Sequence, residues 1–219
     1  DDDGTMATDG KSHFWSLDFV INCSQSMVTF VVLHECLHVA LKHCVIMAAW
    51  AKSKPSFDAN IFNQAADHLV NGLIVVMGLK DAYDPIKLRW WSREAFTQHA
   101  RRPEYICPED ACFDPKFLGM DLLTIYNILM KEKAAQEPEE GEGEPDGAQD
   151  GQGTAQDGQG DGQWGEIKPM TGDDGEPATD EEITQADKEI SRIVKTAVTD
   201  ARLVGRRNRR TERAVTRLS

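Results

Sequence analysis

The sequence predicts an α+β fold, mainly helical, with an N-terminal β-hairpin packed on a buried central helix. Three observations carry that prediction. Asp9-Gly10 is a two-residue turn signal among strand-forming residues. The stretch from Met27 to Trp50 is apolar nearly all the way round a helical wheel, which suits a buried helix rather than a surface one. Three later segments, starting near Asp58, Asp121 and Thr179, carry helix caps or helical periodicity.

Residues 5–20, TMATDGKSHFWSLDFV, form the expected hairpin, with a second strand over His13–Val20. Ser24 or Ser26 caps the helix that follows, and Pro55-Ser56 ends that segment. A second helix starts at the N-cap Asp58 and runs to Met77, closed by Gly78. On it Asn63, Asp67 and Asn71 recur at i, i+4 and i+8. This polar stripe lacks Lys, Arg and Glu and has apolar flanks, so it is expected to face inward. From Asp81 to Asp121 the pattern is irregular, with one short helix around Arg93–Ala100; connections of this length tend to be walls or lids of a site. Asp121–Glu132, DLLTIYNILMKE, reads as a short amphipathic helix.

The tract 134–182 is Gly-, Gln-, Asp- and Glu-rich, and repeats AQDGQG at 148–153 and 155–160. With little to bury, it is expected to be a linker without structure of its own. It holds 16 of the 37 acidic residues against one basic residue, Lys168, leaving 21 acidic and 23 basic elsewhere. The net charge of −13 therefore belongs to the tract and says little about substrate. Thr179 and Glu182 have the spacing of a capping box. They open an amphipathic helix with Ile183, Ala186, Ile190, Ile193, Val194, Ala197, Ala201 and Val204 on its apolar side, ending at Gly205. The basic tail RRNRRTERAVTRLS follows. Without aromatic residues or a nucleic-acid fold, it is expected to meet the acidic tract or a protein partner rather than RNA or DNA.

Five cysteines in no disulfide-framework spacing, together with no visible signal peptide, point to a reducing, cytoplasmic setting. The longest apolar run is too short to span a bilayer, so no membrane association is expected.

The central helix contains VVLHECLHVA. Two imidazoles and a carboxylate in so apolar a frame are costly to bury unless paired or metal-bound. His34 and His38 are one turn apart on one face, so both rings can reach a single ion. Glu35 lies roughly 100° round the helix, able to reach a water beside that ion but not to ligate it. This is the H-E-x-x-H arrangement of zinc peptidases. His43 falls off that face and reads as a structural or surface histidine.

VLHECLHVALKH, FNQAADHLVNGL, the upstream MATDGK and the later FLGMDLLTIYNIL together resemble a metallopeptidase-domain family of bacteria and phages. The resemblance covers roughly residues 5–132, and weakly the helix at 183–205. It implies a zincin-like fold, placed over 1–133; composition and periodicity then give the acidic linker 134–182 and a C-terminal amphipathic helix with basic tail over 183–219. It also implies zinc-dependent peptide hydrolysis, with Asp67 of the A-x-D element as third zinc ligand beside His34 and His38; His68 is the rival. Glu35 would be the general base, and Asn63 and Asn71 would orient Asp67. The partners implied are a peptide or protein substrate and, through the C-terminal helix, a protein. A helper for the oxyanion is to be sought among His68, His99, Tyr83, Tyr105 and Tyr126. Two other readings use the same ligands: a zinc-stabilised interaction module without turnover, and an amidase acting on a non-protein amide.

Overall fold

A computed structural model describes residues 6–81, 83–101, 107–136, 166–172 and 174–204. Most of the acidic tract, Tyr105 and the basic tail lie outside the described residues. The rest is mainly helical with one small sheet.

The hairpin forms as the turn signal predicts. β1 (Met6–Thr8) pairs antiparallel with β2 (His13–Trp15), Ala7 opposite Phe14. Asp9 Oδ1 accepts from the amides of Lys11 and Ser12 at 2.8 and 2.7 Å. Gly10 takes φ +89°, which a side chain resists, and a Cβ there would sit 3.1 Å from Cys44 Cβ. The second strand is shorter than expected. Ser16 caps α1 (Leu17–Asn22), accepting from Phe19 N at 3.4 Å, so the chain turns helical where the strand was expected to continue.

The central helix is also shorter. It divides into α2 (Gln25–Ala40), capped by Ser24, and α3 (His43–Ser53), bent by 51° from each other. Lys42 holds the break at φ +61°, a left-handed conformation costing a residue with a Cβ about 1 kcal/mol or more. The sequence has no glycine or proline there; Lys42 N donates to Val39 O and its carbonyl accepts from Ile46 N, both at 2.9 Å, and its side chain adds tertiary contacts. Its Nζ donates to Asp187 Oδ1 at 2.7 Å and Ser191 Oγ at 2.6 Å.

α4 (Ala59–Gly78) starts at Asp58, whose carboxylate accepts from Ile61 N at 3.1 Å. It runs through both hydrophobic clusters. Phe62, Ala65 and Ala66 meet Met47, Ile125 and Ile190 on one side; Val70 and Ile74 meet Phe30, Val31 and Phe113 on the other. α5 (Pro85–Leu88), α6 (Arg93–His99) and a 3₁₀ turn at Pro115–Phe117 punctuate the irregular connection, and α7 (Leu122–Gln136) packs along α4. Arg93 ties down the loop before the 3₁₀ turn by donating to the carbonyls of Pro108, Ala111 and Phe113.

The expectation that fails most clearly is the linker boundary at 182. β3 (Glu166–Ile167) adds in parallel to the outer side of β1, giving the order β2-β1-β3, and Lys168 N donates to Thr8 O at 2.8 Å. Ile167, Met170 and Ala178 are buried in the core. Three apolar side chains among Gly, Asp and Glu are too sparse to show in composition, yet they fix this segment. α8 (Asp180–Val204) begins with the expected capping box: Thr179 N donates to Glu182 Oε2 and Glu182 N to Thr179 Oγ1. Its apolar side lies on α3 and α2, with Ile183, Ile190 and Val198 buried, while Ile193 is half exposed. No single helix among the described residues is long and apolar enough to cross a membrane.

Candidate metal centre

α2 and α4 pack against each other and bring three donors to one point. His34 Nε2 and His38 Nε2 lie 2.8 Å apart, and Asp67 Oδ1 lies 3.4 Å from the first and 3.2 Å from the second. All three residues are buried. Donors about 2.0–2.2 Å from one tetrahedral ion are separated by roughly 3.3–3.6 Å. The two spacings to Asp67 match or approach that range, and the His–His spacing is shorter. Two neutral imidazole nitrogens and a carboxylate are the donor chemistry of a catalytic zinc site.

Both rings are held from behind. His34 Nδ1 lies 2.8 Å from Asn71 Oδ1, and Asn71 Nδ2 donates to the Cys112 carbonyl at 2.9 Å. Because a carbonyl only accepts, the amide is oriented, and Asn71 offers its oxygen to His34. His34 Nδ1 therefore carries a hydrogen, leaving Nε2 free to ligate. The expectation that Asn71 orients Asp67 is corrected to this: the i+8 residue reaches past Asp67 to the facing helix. Behind His38, Nδ1 lies 2.9 Å from His43 Nδ1. His43 is thus structural, as one of its two sequence readings held, but its place is inside the centre. On a continuous helix it would point away; the break at Lys42 swings it back. A histidine set in an otherwise apolar stretch was the only signal in the sequence.

Burial alone would strip the proton from His34, but the adjacent Asp67 carboxylate outweighs it and raises the pKa. Burial and the charge on His34 push His38 down to about 4, and burial holds His43 well below the usual imidazole range. Burial would raise Asp67, yet its two histidine partners hold it low. Glu35 differs from all of these. It is 0 % exposed, neither carboxylate oxygen has a hydrogen-bond partner, and burial pushes its pKa to about 7.

The remaining candidates lie elsewhere. Asn63 Oδ1 is buried without a partner, so the expected bond to Asp67 is not made through it. His68 turns from the centre onto the Phe117 ring, 4.5 Å between centroids. Tyr126 OH accepts from Asp58 N at the start of α4, and Tyr83 and His99 stack around Trp91. Tyr105 lies outside the described residues. Cys107 and Cys112 are free thiols whose pKa values burial raises.

These features define a mainly helical α+β protein with a buried His-His-Asp group able to hold a metal ion beside an unpaired glutamate. The chain belongs to the family described as "Putative metallopeptidase domain", whose sequence model matches residues 1–217. No curated protein and no solved structure matches it.

Proposed function

We propose that the chain is a zinc-dependent, zincin-like peptidase of the cytoplasm that hydrolyses peptide bonds in a peptide or protein substrate. His34, His38 and Asp67 would hold the zinc, and Glu35 is the general base. The observation that carries this reading is an unpaired, buried carboxylate one residue from a convergent His-His-Asp group. A buried carboxylate without partners is costly, and a catalytic role accounts for keeping it. Zinc bound there would polarise both a water and the scissile carbonyl. Glu35 takes a proton from the attacking water as its oxygen bonds to the carbonyl carbon. It then delivers that proton to the leaving amine nitrogen as the C–N bond breaks. A carboxyl with pKa near neutrality suits both transfers. Asn71 and His43 keep the two rings aimed.

One observation favours a second reading. Glu35, His34 and His38 are at most 1 % exposed, and only the Asp67 side chain, at 12 %, meets solvent. A closed centre of this kind also suits a metal-stabilised module without turnover, whereas the amidase reading differs only in substrate. Metal analysis of the purified protein combined with a broad peptide-library cleavage screen tests the proposal. The peptidase reading expects about one zinc per chain and cleavage that stops on chelation. Zinc without cleavage of any peptide favours the module; absence of zinc after metal-replete refolding removes both.

A further inference from the structure

We propose that α8 is a working part of the metal centre, positioning His38 through Lys42 and His43. This rests on the reading of His38 as a ligand.

Two independent features meet at the α2–α3 break. On one side of it, His43 Nδ1 is 2.9 Å from His38 Nδ1, the ring nitrogen opposite the one that faces Asp67. His43 is 1 % exposed and lies edge-on to Phe62, so packing restrains its ring and its backbone sets where that ring points. On the other side, Lys42 is the only non-glycine residue with positive φ among those described, and strained backbone persists where surroundings over-determine it. Beside the local backbone bonds to Val39 and Ile46, the surroundings include α8: the Lys42 ammonium is gripped by Asp187 and Ser191, one turn apart on that helix. α8 therefore holds the residue whose backbone sets the direction of His43, and His43 holds the ring of His38. Lys42, His43, Asp187 and Ser191 are positioning residues; none touches the three donor atoms. The arrangement makes α8, which follows the acidic tract in the sequence, a determinant of metal affinity rather than a separate appendage.

The test uses the full chain and metal ions alone. Wild type, Lys42→Met, Lys42→Arg and Asp187→Asn are titrated with cobalt(II), followed by its visible spectrum, and zinc affinity is measured by chelator competition. The side chains of Lys42 and Asp187 are 29 % and 45 % exposed, so none of these substitutions opens the core. Lys42→Met and Asp187→Asn are expected to weaken zinc about threefold to tenfold, as coupled positions outside a site do. The cobalt spectrum should change as the His38 ring tilts, while helicity and the unfolding midpoint of the metal-free protein stay near wild type. Lys42→Arg, which keeps the cation, should restore most of the affinity. Unchanged affinity and spectrum in both weakened variants, with metal-binding wild type, would overturn this inference alone. A loss of affinity explained by a matching loss of metal-free stability would also overturn it, because support would then be general. Wild type that binds no metal would remove the metal reading and this inference together.

Discussion

His34 and Asn71 stand 2.8 Å apart across the α2–α4 interface, and the Asn71 amide is oriented by its second bond to the Cys112 carbonyl. The irregular segment after α6 therefore reaches the centre through one asparagine.

The first prediction follows from that bond. Asn71→Ala should weaken zinc roughly 10–100-fold, as loss of a ligand's outer partner does, without changing which residues bind it. Asn63→Ala should leave affinity near wild type, since Asn63 Oδ1 has no partner. Chelator competition measures both. Equal effects of the two substitutions would return Asn71 to a general packing role.

Glu35→Gln separates enzyme from module. The substitution keeps size and removes the base, so zinc content should be unchanged while hydrolysis falls by about two or more orders of magnitude. Cleavage of a confirmed substrate at the wild-type rate would exclude Glu35 as the base.

The same residue makes a stability prediction for metal-free protein. Its folded pKa, about 7, lies above its ordinary value of 4.5, so folding favours the protonated form. Its contribution is best below pH 4.5, worsens as pH rises, and reaches its full penalty above about 7. Glu35→Gln should thus stabilise the metal-free fold at pH 8 by something on the order of 1–3 kcal/mol, and much less at pH 5. Urea unfolding with chelator at both pH values reads the difference. A difference that does not grow with pH would show that Glu35 is charged at no cost in the fold.

Asp67→Ala should lose zinc and activity together, because a missing ligand weakens the metal itself. His68→Ala should keep zinc, its ring being packed on Phe117. Metal content of the two proteins decides between these neighbours; the opposite pattern would move the third ligand one residue along α4.

Much of this site could be read in the chain. The i, i+4 histidines, the offset glutamate and the charge-poor stripe each depend on helical spacing alone, and both helices formed. The hairpin turn, a serine cap at 24 or 26, the Asp58 cap and the Thr179–Glu182 box were legible for the same reason: they are local. What the sequence hid depends on distant contacts. Lys42 takes a left-handed conformation in which residues of α8 grip its ammonium, and His43 enters the centre only because of that break. Strand β3 has two residues, too few for an alternating pattern, and is defined by its partner β1 rather than by its own composition. Asn71 was found, but its partner was misassigned, since periodicity gives a face and not the neighbour it meets.

The sheet order β2-β1-β3 sets a timetable for the newborn chain. Met6–Thr8 is made about 160 residues before Glu166–Ile167, one of its two neighbours in the sheet. At typical rates of about 5–20 residues per second, the strand and the histidine helix beneath it wait roughly 8–32 seconds for their cover. Throughout that interval the apolar faces of α2 and α3 lack α8, and Lys42 lacks its grip. The order of synthesis thus leaves the apolar faces of α2 and α3 uncovered while the acidic tract is being added, an interval in which exposed apolar surface can aggregate or be held by a chaperone.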